Sequence, residues 1–397
     1  MSLVCYYTLA FLLSIRKNSV ACYLRCPNAP HAVRRLCYRA RLVIGEEMWP
    51  LQTRYCGPEC QVQHWKEGGH DQLCKKIKKA GGAEQYNANQ KYTAAVAVAA
   101  EACAEDTKGQ TCYICTQALH WKTKEGLVRM CSCRGTAGFA HVSCLAEQVK
   151  ILFEEAEENN LDLEPSWRRW NTCSLCEQSY HGVVKHALGW ACWKTYVGRP
   201  EADWTRRSAM RQVANGLSAA GHHEDALTVE EALLLMLRRA GASEQGILTA
   251  QNNIARTYQL LGRHESALNM YRDVLSGYLK LLGESDTFTI MAASNYASAL
   301  HNLNRFEEAK ALLSRTMPVA QRVLGESNEL TITIKCHYSW SLYEDTAATL
   351  GDLREAVTSL DDTERTARRV LGGGHPTVLK IEKCLQDARA ALRAHSA

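Results

Sequence analysis

The amino-acid sequence predicts a mostly α-helical protein in which two small zinc-stapled modules precede an α-solenoid of helix pairs. Three observations support this fold class. Cysteine and histidine residues form short-spaced groups in two separate windows of the first half of the chain. Similar segments then recur 42 residues apart in the second half. The composition, 46% hydrophobic and 22% charged over 397 residues, is that of a globular protein with two to four domains.

The clearest motif is a set of eight potential metal ligands in four pairs. The pairs are Cys112 with Cys115, Cys131 with Cys133, His141 with Cys144, and Cys173 with Cys176. Each pair is close enough for a single turn to aim both side chains at one ion. Tetrahedral zinc takes four Cys or His ligands, so eight ligands predict two zinc ions. The alternative is a group of buried free cysteines with one histidine in the core.

The order and spacing of these ligands resemble the RING-CH variant of the RING finger. The string CSCRGTAGFAHVSCL, residues 131–145, is similar to the pattern C-x-C-x-G-[ST]-x4-H-x2-C-L of membrane-associated ubiquitin ligases. PHD fingers share the ligand order but usually have other spacings around the fourth ligand. The resemblance covers residues 112–182 and implies a cross-brace of two zinc sites. One site would comprise Cys112, Cys115, His141 and Cys144, and the other Cys131, Cys133, Cys173 and Cys176.

The same resemblance implies an activity. RING fingers transfer ubiquitin by docking a ubiquitin-loaded conjugating enzyme, without covalent catalysis, so no catalytic residue is expected in this chain. The docking surface would include Ile114, between the first two ligands, and the helix that follows Cys144. That helix is predicted from apolar residues at helical spacing, which are Leu145, Val149, Leu152 and Phe153.

Three positions near this surface depart from the family. Relatives often carry Trp four or five residues after the sixth ligand, where this chain has Gln148 and Val149. They often carry Pro where this chain has Ser174, and a basic residue where it has Glu177. Two functions therefore stay open, a ubiquitin ligase and a non-enzymatic interaction scaffold.

A second group of potential ligands lies in residues 22–74. The string YCGPECQVQHWKEGGHDQLC, residues 55–74, resembles the second half of a MYND finger, a module that binds short peptides. The spacing from Cys22 to Cys26 is one residue longer than the family pattern, and Ala40 stands where another cysteine is expected. One or two zinc ions are therefore expected here. The implied ligands are Cys22, Cys26, Cys37, Cys56, Cys60, His70 and Cys74.

Residues 207–397 contain a helical repeat. The segments LLGRHESALNMYRDVL (260–275) and NLNRFEEAKALLSRTM (302–317) are equivalent, and small residues such as Ala255 and Ala297 recur at the same period. Such a period is typical of stacked helix pairs. It resembles the tetratricopeptide repeats of kinesin light chains, as do the junctions LGES and LGGGHPT. Four helix pairs are expected, followed by a capping helix from about residue 376 to 394.

Arrays of this kind bind peptides on their concave face. Asn253 and Asn295 occupy equivalent positions and are the candidate peptide-binding residues, with His337 in the next copy. The alternative for each is a solvated polar position.

The remaining segments connect these modules. Residues 1–21 hold an apolar run that is too short to cross a bilayer, and both a signal peptide and an irregular chain start stay open. Residues 75–111 are expected to form an Ala-rich helical linker, and residues 183–206 a bridging helix. No membrane span is predicted. Because most cysteines have metal-type spacing, the cytosol or nucleus is the expected compartment.

These patterns favour a soluble ubiquitin ligase that recruits a conjugating enzyme through residues 112–182 and peptide segments of substrates through the repeats. The net charge of +5 is small for the length, and nucleic acid is not an expected partner. No nucleophile with a nearby base and no phosphate-binding glycine loop occurs in the sequence. Chemistry on a small substrate is therefore not expected.

Overall fold

The computed structural model describes residues 70–396, with side chains from 72 to 395. Within this range the regular structure is helical, and extended pairing is restricted to two isolated bridges, Val128 with Ala140 and Thr172 with Ser179. The predicted mostly α-helical class is confirmed.

The MYND-like prediction falls almost wholly outside the described residues. Cys74 is half-buried in the first helix. The other implied ligands lie beyond the described side chains, and the finger stays a prediction, as does the segment 1–21. These ligands are Cys22, Cys26, Cys37, Cys56, Cys60 and His70.

Two helices precede the cysteine-rich segment. Helix α1 spans His70–Ala80 and helix α2 spans Ala83–Ala102. Gly81 and Gly82 separate them with φ angles of +94° and +130°, which glycine adopts without a steric penalty. The alanines of α2 are strong helix formers, and one side of the helix is buried. That side carries Ala88, Tyr92, Ala95, Val96 and Ala99.

Three further helices belong to the cysteine-rich segment or follow it directly. They are α3 (Val142–Glu158), α4 (Glu164–Arg168) and α5 (Gly182–Tyr196). Helix α3 buries Leu145, Val149 and Phe153, as the apolar spacing predicts. Leu152 differs from its neighbours, because it remains 39% exposed.

The rest of the described chain is an array of helix pairs. Small residues are buried along it, among them Ala255, Ala267, Ala297 and Ala309. A last helix, α14 (Pro376–Ser396), packs on the final pair. The pairs are α6 (Trp204–Ala219) with α7 (His223–Arg239), α8 (Glu244–Leu260) with α9 (His264–Leu282), α10 (Thr287–His301) with α11 (Phe306–Leu324), and α12 (Glu329–Tyr343) with α13 (Leu350–Leu371).

One hydrophobic core runs from α2 through the cysteine-rich segment into the first helix pair. The rings of Phe153, Trp167 and Tyr196 meet in this core, with centroids 5.5 to 5.6 Å apart. Beside them, the guanidinium of Arg199 donates to both carboxylate oxygens of Glu157 at 2.9 and 2.6 Å. The cysteine-rich segment is therefore joined to the array by packed side chains rather than by a flexible linker.

The array also returns to the cysteine-rich segment at its far end. Gly372 follows α13, and a Cβ atom placed on it would lie 2.8 Å from Nη2 of Arg134. The guanidinium of Arg134 therefore packs directly against the loop between α13 and α14. Residues 134 and 372 meet although 238 positions of sequence separate them.

Helices α5 and α6 cross at two glycines. A Cβ atom at Gly189 would lie 2.6 Å from the carbonyl oxygen of Gln212, and one at Gly216 would lie 2.9 Å from Cα of His186. Both distances are far below normal contact with backbone atoms. The crossing therefore tolerates no side chain on either helix at its closest point.

We expect Gly189→Ala to lower the denaturation midpoint of the chain. Alanine gains up to about 1 kcal/mol of helix propensity over glycine, but overpacking against backbone costs typically about 1–3 kcal/mol. Gly198→Ala is the matched control, since no atom lies within 4 Å of a Cβ there. Equal midpoints for the two variants in a chemical denaturation series would contradict the close crossing.

Candidate metal centres and docking surface

The first cluster is built by a tight turn and the start of α3. The amide of Thr116 donates to the carbonyl of Cys112 at 2.8 Å, and that of Cys112 donates to the carbonyl of Gln117 at 3.0 Å. This turn aims the sulfurs of Cys112 and Cys115 to the same side. His141 is the N-cap residue of α3, and Cys144 lies in its first turn.

The histidine of this cluster is oriented by a second contact. Nδ1 of His141 lies 3.3 Å from Sγ of Cys115 and 3.6 Å from Sγ of Cys144. Its other ring nitrogen, Nε2, lies 3.4 Å from the carbonyl oxygen of Ala118. A proton on Nε2 would donate to that carbonyl and leave Nδ1 free to bind metal, the usual arrangement of a metal-binding histidine.

The second cluster repeats the same turn. The amide of Glu177 donates to the carbonyl of Cys173 at 3.0 Å, and that of Cys173 donates to the carbonyl of Gln178 at 2.9 Å. The φ angle of Glu177, +56°, matches that of Thr116 in the first turn, +60°. Sγ of Cys133 lies 3.7 Å from Sγ of Cys173. A hydrogen bond from the thiol of Cys131 lowers the pKa of Cys173, although burial acts in the opposite direction.

The structure brings the eight ligands together in the two sets that the RING-CH resemblance implies. Within each set the candidate ligand atoms lie within 4.8 Å of one another. All are cysteine sulfurs except one histidine nitrogen, the donor set of structural zinc sites. The first set is Cys112, Cys115, His141 and Cys144, and the second is Cys131, Cys133, Cys173 and Cys176.

Family models match two regions of the described chain. The family model of the RING-variant domain matches residues 112–176. The tetratricopeptide repeat model matches residues 247–287 and 289–328. The chain therefore contains a RING-variant domain with clusters suited to zinc, followed by tetratricopeptide repeats. A search of curated protein sequences finds no match.

Solved structures show limited similarity. The kinesin light chain nearly identical TPR-like repeats from Podosopora anserina align at 14% identity, covering 58% of this chain and 97% of that one, with a TM-score of 0.37. BtubC from P. vanneervenii aligns at 13% identity over 64% of this chain and 92% of its own, with a TM-score of 0.36. A Rap protein complexed with Competence and Sporulation Factor aligns at 12% identity over 64% and 72%, with a TM-score of 0.35.

Ile114 lies at the rim of an open groove of about 410 Å³ between the first turn and α3. It is 36% exposed, and two residues of α3, Ile151 and Leu152, are 46% and 39% exposed beside it. Trp121 also lines the groove and is 68% exposed. We call this feature, lined by Ile114, Trp121, Gln148, Ile151 and Leu152, the apolar groove.

The sequence prediction included Ile114 and the helix after Cys144, which carries Ile151 and Leu152, but it did not include Trp121. The helical spacing of α3 marks Leu152 as a core position, and nothing in the spacing separates it from Phe153, which is buried. Trp121 lies between two ligand pairs in a segment that matches no periodic pattern. The sequence feature that could have indicated Trp121 is its position as a large apolar residue close to the metal ligands.

The candidate peptide-binding residues lie on α8 and α10. Asn253 and Asn295 are half-buried, and Nδ2 of Asn295 donates to Oδ1 of Asn252 at 3.1 Å. Asn252, which the repeat alignment did not select, is buried at this contact. His337 is only 5% exposed, and its Nε2 lies 3.0 Å from Nζ of Lys380. The expectation that His337 lines the concave face is therefore wrong, because it packs between helices.

Between residues 70 and 396, no helix is long and apolar enough to cross a membrane.

Gly138 gives a direct test of the second cluster. Its φ is +84°, and a Cβ atom there would lie 2.6 Å from Cβ and 2.8 Å from Sγ of Cys133. We expect Gly138→Ala to displace that sulfur and to speed the loss of zinc to a chromogenic chelator. Gly135→Ala is the control, because φ is also positive, +59°, but no atom lies within 4 Å. Equal release rates from the two variants would show that Cys133 does not hold the metal.

Proposed function

We propose that the chain is a ubiquitin ligase of the RING type, which docks a ubiquitin-loaded conjugating enzyme in the apolar groove. One observation carries this proposal. Large apolar side chains are exposed together beside the first metal cluster, at the place where the RING-CH resemblance puts the docking surface. Exposed apolar side chains grouped in this way are typical of protein-binding sites. The RING-variant family model supports the same function.

The number of metal ions follows from the two clusters. We propose one zinc ion in each, held by the four ligands of its set, so that the RING-variant domain binds two. Little regular structure lies between residues 103 and 141, apart from the bridge of Val128 with Ala140. In small modules of this kind the metal supplies order that a hydrophobic core cannot, and apparent zinc-binding free energies are roughly 10–16 kcal/mol. Further zinc in the MYND-like segment 22–74 stays a separate prediction.

Metal analysis of the full chain tests the stoichiometry by difference, independently of any zinc in residues 22–74. We expect the double variant Cys112→Ser/Cys115→Ser to lose one zinc relative to the unaltered chain. Cys173→Ser/Cys176→Ser should lose one more when combined with it, because the two sets share no ligand. Cys103→Ser should change nothing, since this buried cysteine belongs to neither set. Loss of both ions from either double variant alone would mean that the sites are not independent.

The elements that line the apolar groove are joined to one another, and this arrangement favours docking. Cys115 and Cys144 belong to the same cluster, so one bound zinc ion would hold together the turn that carries Ile114 and the helix that carries Ile151. The remaining rim is set by Gln148, whose Oε1 accepts a hydrogen bond from Oγ of Ser174 at 3.3 Å. This bond links α3 to the second turn. A partner in the groove would therefore meet surfaces that need little ordering, which lowers the entropic cost of binding.

We expect Ile114→Ala to reduce ubiquitin transfer by at least about tenfold, since a few apolar anchors carry most of the binding energy of small interfaces. Zinc content should not change, because Cys112 and Cys115 remain. Leu161→Ala is the control, since Leu161 is also an exposed apolar residue but lies outside the groove. Autoubiquitination measured over a panel of conjugating enzymes gives the readout. Robust transfer that does not depend on Ile114 would place docking elsewhere.

The alternative function is a non-enzymatic scaffold, and the hydrogen bond between Gln148 and Ser174 favours it. Relatives often place an apolar Trp and a Pro at about these positions, whereas here two polar side chains satisfy each other. If the chain is a ligase, Gln148→Trp should add apolar contact and raise transfer. Gln148→Ala is the control, because it breaks the bond without adding apolar area. A scaffold would show no transfer with any conjugating enzyme and no gain from Trp.

We propose that the repeats bind extended peptide segments of substrate proteins. The amides of Asn253 and Asn295 are half-buried at equivalent positions on α8 and α10. Amide side chains at such positions can pair with both the N–H and the C=O of a peptide backbone. One core joins the RING-variant domain to the first helix pair, and the later helices pack on one another in sequence. The cytosol and nucleus stay the expected compartments.

A further inference from the structure

A second and larger cleft adjoins the apolar groove. It has a volume of about 660 Å³ and lies between α2, the start of α3, the end of α5 and the segment 120–123. His120, Trp121, Ser143 and Glu147 line both features, so the two form one continuous surface. We call the second feature the cationic cleft, for the three lysines described next.

Three elements each contribute a lysine to this cleft. They are Lys122 from the loop, Lys150 from α3 and Lys194 from α5. Three carboxylates lie near these lysines. Glu125 accepts hydrogen bonds from N and Oγ of Ser143 at 2.7 and 2.8 Å. Glu147 and Glu154 lie 3.9 and 4.0 Å from Nζ of Lys150, and both pairs are weak and exposed.

Among the residues that line the cleft, three are lysines and one, Glu147, is a carboxylate, so the lining itself is cationic. Lys122 and Lys194 take part in no ion pair within the part of the chain that the structure describes. Nζ of Lys194 lies instead 4.2 Å from the ring centroid of Tyr92. Burial lowers the pKa of Lys194, and the charge of Lys122 lowers it further, although Glu125 partly offsets both. A carboxylate from outside would relieve this unfavourable environment.

The floor of the cleft is fixed. The hydroxyl of Tyr92 shares a hydrogen bond of 3.0 Å with Oγ of Ser143, which also bonds to Glu125. This network joins α2 to the start of α3. Because Oγ of Ser143 donates to Glu125, the hydroxyl of Tyr92 is the donor in its bond to Ser143. Burial raises the pKa of Tyr92 to about 12. The exposed indole of Trp121 adds an apolar wall.

We propose that the cationic cleft binds an acidic peptide segment of the conjugating enzyme that docks in the apolar groove. The inference rests on the proposed function, because it takes the groove as the docking surface. Charge complementarity defines the chemistry of the segment, which should carry several Asp or Glu residues. Continuity of the two surfaces indicates its source, because an enzyme docked in the groove would lie directly beside the cleft. The lysines thus select among conjugating enzymes by the charge of a segment outside the apolar contact.

The test measures binding of the full chain to one conjugating enzyme in two forms, with and without an appended tail of alternating Asp and Glu. In low salt we expect the tail to tighten binding by about threefold to tenfold, the scale of a few exposed ion pairs. The gain should shrink in about 0.5 M salt, since screening then acts over only a few ångströms.

The variant Lys122→Glu/Lys150→Glu should abolish the gain from the tail. Lys124→Glu/Lys280→Glu changes the net charge equally at exposed lysines that do not line the cleft, and should retain the gain. Ile114→Ala should weaken both enzyme forms by the same factor.

Three results would overturn the inference. No gain from the tail, or a gain that survives Lys122→Glu/Lys150→Glu, would mean that the cleft does not hold the segment. If Lys124→Glu/Lys280→Glu lost the gain to the same extent as Lys122→Glu/Lys150→Glu, the effect of the tail would be general charge attraction. Each of these leaves docking in the groove intact. If no enzyme of the panel binds in either form, the proposed function fails and a conjugating enzyme is not the occupant.

Discussion

The structure depends on the close crossing of α5 over α6. Helix α5 packs on α2 and α3 as well as on α6, and most of its side chains are buried. A helix with so little polar surface is stable where neighbours cover most of it. Gly189 and Gly216 allow the backbones of α5 and α6 to approach to contact distance, which places the first pair of the array against the RING-variant domain. The relation between the two parts of the chain is fixed at this crossing.

Metal and core support each other around this crossing. The two turns that carry Cys112 and Cys173 have the same hydrogen bonds and the same positive φ, yet they occur in different surroundings. The hydrogen bonds set the direction of the sulfurs, and four ligands from distant positions then meet at one point. Packing alone could not hold these loops, because they have few buried side chains of their own. The two clusters of potential zinc ligands and the aromatic cluster around Phe153 together define the domain.

Much of this arrangement could be predicted from the sequence, and the parts that could not have a common cause. Ligand spacing is a local property, so the eight ligands could be predicted from the sequence. The family resemblance then implied how they divide into two sets. The repeat period is also local, and it indicated the helix pairs. Exposure of Leu152 and burial of His337 depend instead on which helices lie alongside, far away in sequence. Leu152 has the spacing of a core residue, but no helix covers it. His337 has the spacing of a groove residue, but Lys380 of α14 covers it.

The core that joins the RING-variant domain to the first helix pair affects how the two proposed binding surfaces are spaced. Modules joined by a flexible linker meet at an effective concentration that depends on linker length. Here the connection is α5 itself, which at 1.5 Å per residue is about 22 Å long for its 15 residues. A peptide on the array and a protein in the groove would therefore be separated by a set distance and orientation. The position at which a protein binds the array would then determine which of its lysines face the groove. Motion of a flexible linker would play no part.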